Sequence, residues 1–517
     1  MQSLTPAITL IRPPQLSSKY SVNAVPVPPI GLAYIAGYLK ARNLSVKTID
    51  CTGLKLNHFS QGHRPYLRVE GLNLEETLAL IPRQTEIIGI SAMFSQEWVY
   101  DRNFISKIKS HFPLAKVIVG GEHVSSLPEY TLRDCPAIDF AVLGEGEEVF
   151  FQLCKAILNG NSPLDVEGIA YLDQDKSYIC SKRASRITNV ETIPSPDWSD
   201  IPLESYFARS LGFGPSFGRS MPILATRGCP YQCTFCSSPN TWTTRYVARS
   251  PSELIEEIRR YVEEYRITGL QFYDLTMIIK KSWIHEFCTL MIKEFPNISW
   301  SPPIGTRSEA LDAETLDLMA KAGCSYLAYA PESGSQEALI RVKKKLKLDN
   351  ISKSIIHATQ TKLPTKINLI IGFPEDTRRD IYLTLWYGIK AAFWGVDDCS
   401  FNMFYAYPGS EIFFQKLRDQ EIRLDDDFFD SLTSHWELFA FTRRRSYSAS
   451  ISTRELIIYR FIGLASFYSC AYLTHPQKIL RFAKNLFSGD KTNSTIEQRA
   501  KVFLMRRWEI IKKIFTY

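Results

Sequence analysis

Short continuous apolar runs alternate along the first third of the chain with stretches whose apolar positions recur every three to four residues. Runs at 7–11, 45–49, 87–91, 116–119 and 140–143 have the length and continuity of buried strands. Between the first two lies GLAYIAGYLKAR (31–42), apolar at helical spacing. Strands alternating with helices predict a doubly wound parallel sheet, whose ligands sit beyond the carboxyl ends of the strands. Those ends carry a proline-rich loop, then Gly120-Gly121, then Gly144-Glu145-Gly146-Glu147, where glycine lets a ligand approach the backbone. Neither GxGxxG after the first strand nor GxxxxGK[ST] occurs, and two glycines ending a strand are by themselves a turn.

A stretch rich in Pro, Ser and Gly, 191–218, reads as a linker or strap, and a second repeat follows it. Apolar strands at 222–226, 269–273, 326–330, 366–371 and 400–405 alternate with helices at 252–265, 313–322 and 335–342. Ser250-Pro251-Ser252-Glu253 supplies an N-cap, a proline in the first turn and a capping-box glutamate. A full eight-stranded barrel takes about 250 residues. The 195 residues of 222–416 therefore predict a partial TIM-type (β/α)6 barrel, with its chemistry on loops after the strands. The expected division is 1–193 for the Rossmann-like sheet, 194–221 for the linker, 222–416 for the barrel and 417–517 for a mainly helical, aromatic-rich domain.

Length and composition narrow the class. At 517 residues the chain suits about three domains, and 45% hydrophobic with 22% charged residues is ordinary globular composition. The 11 cysteines come without a secretory-type start, so the expected compartment is the cytoplasm, where clustered cysteines signal metal or redox chemistry. The best membrane candidate, 461–477, is uncharged but short for a bilayer, and no transmembrane helix is predicted. Charge placement adds something. From Lys478 on there are ten Lys/Arg against three Asp/Glu, which accounts for the whole net charge of +7. Just after Lys501, VFLMRRWEIIKKIF interleaves apolar and basic residues. Such a helix packs on the barrel with a solvated basic face, or lies against an anionic membrane. No recognised RNA module is present, so no nucleic acid is expected.

The sharpest chemical signal follows the first barrel strand: Cys229, Cys233 and Cys236 in a CxxxCxxC. Zinc would need a fourth protein ligand, and His285 and Cys288 lie about fifty residues downstream on a helix. Iron–sulfur clusters take cysteine thiolates, and three of them leave one iron of a cubane open. Asp274 and Glu332 stand at strand ends, where a carboxylate has little structural reason to be.

This spacing, with Phe235 before the third cysteine, resembles the radical S-adenosylmethionine enzymes. The resemblance implies a [4Fe–4S] cluster on Cys229, Cys233 and Cys236, and S-adenosylmethionine contacts from Phe235, Asp274, Glu332 and Ser333 of the Glu332-Ser333-Gly334-Ser335 loop. Leu275 stands where related members carry a second acid. Gly372-Phe373-Pro374-Glu375 and Tyr407-Pro408-Gly409-Ser410 also match loops of the family. The first block resembles the cobalamin-binding domain that precedes many of these enzymes, which implies cobalamin contacts from Ser91, Gly120, Gly121, Glu122, Gly144, Glu145 and Gly146. The loop 12–29 contains no histidine, which implies a cobalamin without a histidine on cobalt; His123 reads as a loop hydrogen-bonder.

The pairing is similar to the class B methyltransferases. It implies methylation of an unactivated carbon or phosphorus centre of a small molecule, through methylcobalamin and a 5′-deoxyadenosyl radical. The alternatives are a radical cyclase, rearrangement or oxidation enzyme, and a methylthiotransferase. The last would need a second cysteine cluster, and Cys51, Cys135 and Cys154 are dispersed. Expected partners are a lipid-like or tetrapyrrole-like small molecule and an external electron donor such as a flavodoxin or ferredoxin. The basic tail would make any contact with the inner membrane face.

Overall fold

Runs that are apolar at every position become strands covered on both faces, because a sheet with helices on each side leaves no polar face. The computed structural model describes residues 6–21, 25–215, 218–307, 310–437 and 445–487, with 494, 497 and 500. The basic stretch after Lys501 lies outside the described residues. Contacts divide the chain into two compact units. The first is Met1–Tyr206 with Thr234–Arg245 and Ala406–Trp436; the second is Phe207–Cys233 with Tyr246–Tyr405 and Glu437–Tyr517.

In the first unit β1 (Ile8–Arg12), β2 (Val46–Asp50), β3 (Ile87–Ser91), β4 (Lys116–Gly120) and β5 (Phe140–Val142) run parallel. Two antiparallel strands, β6 (Ile169–Leu172) and β7 (Tyr178–Cys180), extend the sheet to the order β7-β6-β5-β4-β3-β1-β2. Helices α1 (Ile30–Lys40), α2 (Trp98–His111) and α3 (Gly146–Leu158) connect the strands. Ile8, Leu10, Ile87, Ile118 and Leu153 close one core, with Leu32 and Leu39 of α1. The chain turns from one side of β1 to the other between β2 and β3. The crevice expected for a ligand therefore opens past β1 and β3.

The stretch read as a linker is tied down where it leaves the first sheet. Asp197 N donates to Ala33 O at 2.9 Å, and Thr48 N donates to Asp200 Oδ2 at 2.9 Å. Tyr206 donates to Asp50 Oδ2 at 2.6 Å and accepts from Arg12 at 2.9 Å. This part is a strap rather than a loose connector.

The second unit holds six parallel strands in chain order. One sheet contains β8 (Ser220–Ile223), β9 (Gly269–Phe272) and β10 (Ser299–Ser301); another contains β11 (Leu327–Glu332), β12 (Thr365–Ile371) and β13 (Asp398–Met403). Parallel bridges Trp300↔Cys324 and Thr306↔Tyr329 join the two triplets into one partial barrel. Its longer helices are α4 (Pro251–Tyr265), α5 (Lys281–Glu294), α6 (Ala313–Lys321), α7 (Leu348–Gln360) and α8 (Arg378–Phe393), followed by α9 (Thr453–Thr474) and α10 (Gln477–Phe487); a short one, Gln336–Arg341, follows β11. The Ser250 cap on α4 forms, its hydroxyl accepting from Glu253 N at 3.3 Å. Glu253, expected to complete a capping box, turns instead to Arg249 at 2.9 Å. Helix α9 begins eight residues before the stretch singled out for its apolarity, and by length and composition it is long enough to cross a membrane.

Candidate active site

Just beyond β8, Thr226–Arg227 pairs with Val247–Ala248 as a short ribbon, and Gly228 leads into the three cysteines. Cys229, Cys233 and Cys236 are half-buried. The start of this loop is fixed by Asp274, two residues past β9. Its buried carboxylate accepts from Ala225 N at 3.1 Å, from Thr226 N and from the Thr226 hydroxyl at 2.6 Å. Burial pushes the Asp274 carboxyl up to about 6, even though these hydrogen bonds favour the anion. The carboxylate is thus largely occupied by the backbone that precedes the cysteines.

Glu332 ends β11 at φ 65°, in the left-handed region a glutamate rarely adopts, where the β11–β12 register shifts. It is buried, and Lys344 Nζ donates to its Oε1 at 2.8 Å, with Lys344 itself 6% exposed. Lys344 is held from behind. Arg307 donates to the carbonyls of Lys344 at 2.8 Å and Lys345 at 2.7 Å, and its guanidinium lies 3.6 Å from the ring centroid of Tyr231, inside the cysteine loop. Burial disfavours the Lys344 ammonium, but Glu332 and Cys233 outweigh it and raise its pKa. Burial pushes the Cys229 and Cys233 thiols up, opposed by the charges of Lys344 and Arg307.

The rest of the Glu332-Ser333-Gly334-Ser335 loop is occupied in holding α8. Ser333 Oγ lies 3.0 Å from Thr384 Oγ1, and Ser335 Oγ donates to Asp380. A Cβ on Gly334 would come within 2.3 Å of Leu383 O, so only glycine permits this approach. The Gly372–Phe373 turn is tied by Asp376, whose Oδ2 accepts both amides at 3.0 Å. In the first unit, Ser410 caps Glu411–Arg418. These loops owe their residues to turn geometry. Phe235 is half-buried beside Cys236 in sequence.

In the first unit, Ser91 and Gly120 face each other in register at the ends of β3 and β4. A Cβ on Gly120 would meet Val142 at 3.7 Å, an ordinary contact distance, so this position does not by itself demand glycine. Gly121 does: at φ 130° its Cβ would sit 2.4 Å from Ala92 O. The two acids are committed. Glu122 accepts from the Ser237 hydroxyl, one residue past Cys236, and Glu145 pairs with Arg186 at 2.7 Å. Arg186 also reaches Trp242 O, while Arg183 donates to Thr241 O at 2.8 Å. Gly144 N donates to Ser125 Oγ at 2.9 Å, and Gly146 opens α3. His123 is a core residue: its Nδ1 lies 3.0 Å from Ser95 Oγ and its ring stacks on Trp98.

Among the described residues no group of three or more His, Cys, Asp or Glu side chains is gathered as the shell of a single metal ion. The fit to an iron–sulfur cluster rests on donor chemistry: three half-buried cysteines at fixed spacing with two cations, Lys344 and Arg307, acting on Cys229 and Cys233. The Ser91–Gly120 pair ends the two strands beside the β1–β3 switch of strand order, where a ligand such as cobalamin would sit.

Two family models match the chain, the B12 binding domain over residues 22–153 and the Radical SAM superfamily over residues 223–385. The chain is a cobalamin-binding radical SAM enzyme. An uncharacterised methyltransferase of Pyrococcus horikoshii is 29% identical over 407 residues, 78% of this chain and 82% of that protein. An anaerobic magnesium-protoporphyrin IX monomethyl ester cyclase of Cereibacter sphaeroides is 27% identical over 424 residues, 80% of this chain and 64% of that protein. In fold, the chain is similar to the radical S-adenosylmethionine methyltransferase TsrM of Kitasatospora setae, solved with cobalamin and a [4Fe-4S] cluster. That likeness has TM-score 0.67 at 14% identity and covers 98% of this chain and 100% of that one. The two matched domains are those of cobalamin binding and of S-adenosylmethionine radical chemistry. Sequence reasoning about the enzyme missed Arg307, Tyr231 and Lys344. Lys344 sits in a run of three lysines, and such a run ordinarily reads as solvated surface.

Proposed function

We propose that this radical SAM enzyme methylates an unactivated carbon or phosphorus centre of a lipid-like or tetrapyrrole-like small molecule. The observation that carries the reading is the pairing, in one chain, of the B12-binding domain with the three-cysteine loop. A relative matching across both halves is named as a methyltransferase, which supports it. Cys229, Cys233 and Cys236 would hold the cluster. Phe235, Glu332 and Ser333 would line the S-adenosylmethionine site, with Asp274 fixing the loop in front of it. Ser91, Gly120, Gly121, Gly144 and Gly146 would face cobalamin, with Glu122 and Glu145 holding the surrounding backbone. When bound, these groups supply a carbon radical and a transferable methyl group.

The chain's own contribution is positional and electrostatic. Lys344 and Arg307 place positive charge beside thiolates that burial alone would disfavour. Glu332 neutralises Lys344 and fixes where its ammonium points. An external one-electron donor such as a flavodoxin or ferredoxin completes the scheme, in a cytoplasmic enzyme in contact with the inner membrane face. The cyclase relative supports ring formation as a second reading.

The test is anaerobic reconstitution with iron, sulfide and cobalamin, followed by metal and corrinoid analysis of the wild type and of Cys229→Ala/Cys233→Ala/Cys236→Ala. One cubane and one cobalamin per chain are expected, with only the cubane lost in the variant. Turnover with methyl-labelled S-adenosylmethionine is expected to label the product. A cubane without cobalamin, or an unlabelled cyclised product, would replace methyl transfer with the second reading.

A further inference from the structure

After Arg460, α9 carries no charged side chain, and the chain stays uncharged until Lys478. One face is packed in the barrel unit. Gly463 approaches so closely that a Cβ there would lie 2.9 Å from Leu385 and 3.0 Å from Phe401. Tyr468 donates to Asp398 Oδ1 at 2.6 Å, and Arg460 donates to Glu437 O at 2.6 Å. The opposite face is also apolar, yet uncovered: Ile458, Phe461 and Ile462 are 54%, 59% and 46% exposed, and Leu473 is 82% exposed. A helix on a globular surface ordinarily turns charged residues outward.

The face does not end with α9. On α8, Tyr382 and Trp386 are 54% and 53% exposed, and the Tyr382 hydroxyl lies 3.2 Å from that of Tyr459, so the two helices share it. Helix α10 adds Ile479 and Leu480. Ten of the 24 large apolar side chains that stand exposed among the described residues lie on these three helices, a concentration that marks an interaction surface.

Charge selects the occupant. The segment that follows α9 directly, from Lys478 on, has ten Lys/Arg against three Asp/Glu, while the other 477 residues are neutral overall. We propose that the outer face of α8, α9 and α10 docks on an anionic lipid bilayer, lying in its interface. Crossing is excluded by the inner face of α9, whose contacts with Leu385, Phe401, Asp398 and Glu437 would all be lost. Lys478 and Arg481 pair with Asp397 inside the unit. Even so, the sequence after α9 keeps a basic excess. Anionic headgroups attract it at about 1 kcal/mol per basic residue near their surface, and a second copy of the same charge would not. Trp386, Tyr382 and Tyr459 have the amphipathic rings that favour headgroup depth.

The test is flotation of the full chain with phosphatidylcholine vesicles, with and without phosphatidylglycerol, at low and high salt. Flotation only with anionic vesicles, weakened by salt, is expected. Ile458→Glu/Phe461→Glu is expected to reduce partitioning at least tenfold with an unchanged circular dichroism spectrum. Leu473→Glu, a single change at a more exposed position, is expected to act the same way. Absence of flotation, equal flotation on neutral vesicles, or variants that float like the wild type would overturn the proposal. So would a concentration-dependent dimer that Phe461→Glu dissolves while vesicles stay unbound.

Discussion

Burial holds His123 neutral: packed on Trp98 and removed from solvent, its pKa falls to about 3. Between that value and the unfolded value near 6.5 the unfolded chain binds the extra proton. The contribution of His123 is thus complete above about pH 6.5 and is lost as pH falls toward 3, at about 1.4 kcal/mol per pH unit. Urea unfolding at about pH 7 and about pH 5 is expected to show a loss of about 2 kcal/mol from this group. His123→Phe should remove most of that loss. The buried pair Glu332–Lys344 gives a second expectation. Lys344→Met strands a buried carboxylate and should cost about 3–5 kcal/mol, whereas Glu332→Gln combined with Lys344→Met should cost less than either change alone. Thermal unfolding of the single and double variants measures this. Of these residues, the sequence reveals Glu332 through the motif around it. Lys344 is hidden, because its burial depends on Arg307 taking two carbonyls and on positive φ at Lys343 and Lys345. No local pattern encodes an arginine more than thirty residues upstream.

Elements are legible where one property decides them. The run 87–91 is apolar up to its last residue, Ser91, and is β3 to the residue. Strand β10, Ser299–Ser301, is Ser-Trp-Ser; it has no run to detect and exists because β9 offers it a hydrogen-bonding edge. Likewise the acids at the ends of the first sheet look free in sequence, while their partners Ser237 and Arg186 lie 115 and 41 residues away. Helix termini are local and therefore predictable. Ser452 and Glu455 form a reciprocal capping box on α9, and Ser452→Ala should lower stability by about 1 kcal/mol, read from the thermal midpoint. At Gly121 both φ and the nearby Ala92 carbonyl forbid a side chain, so Gly121→Ala should cost about 1–3 kcal/mol. The same measurement checks it.

At the scale of the whole molecule, the first unit is not contiguous in sequence. It takes in Ala406–Trp436, and an early loop and α2 are fastened there: His63 pairs with Asp430 at 2.6 Å, Arg64 with Asp430 at 2.9 Å and, from α2, Arg102 with Asp426 at 2.7 Å. Arg64 and Asp430 are separated by 366 positions. A ribosome adding about 5–20 residues per second needs roughly 20–70 seconds to cover that distance. During that interval the amino-terminal sheet has emerged without the piece that completes it, and the barrel strands are made before it can close. A nascent chain of this kind waits half-built, and its yield should depend on the pace of translation and on holding chaperones more than the stability of the finished protein suggests.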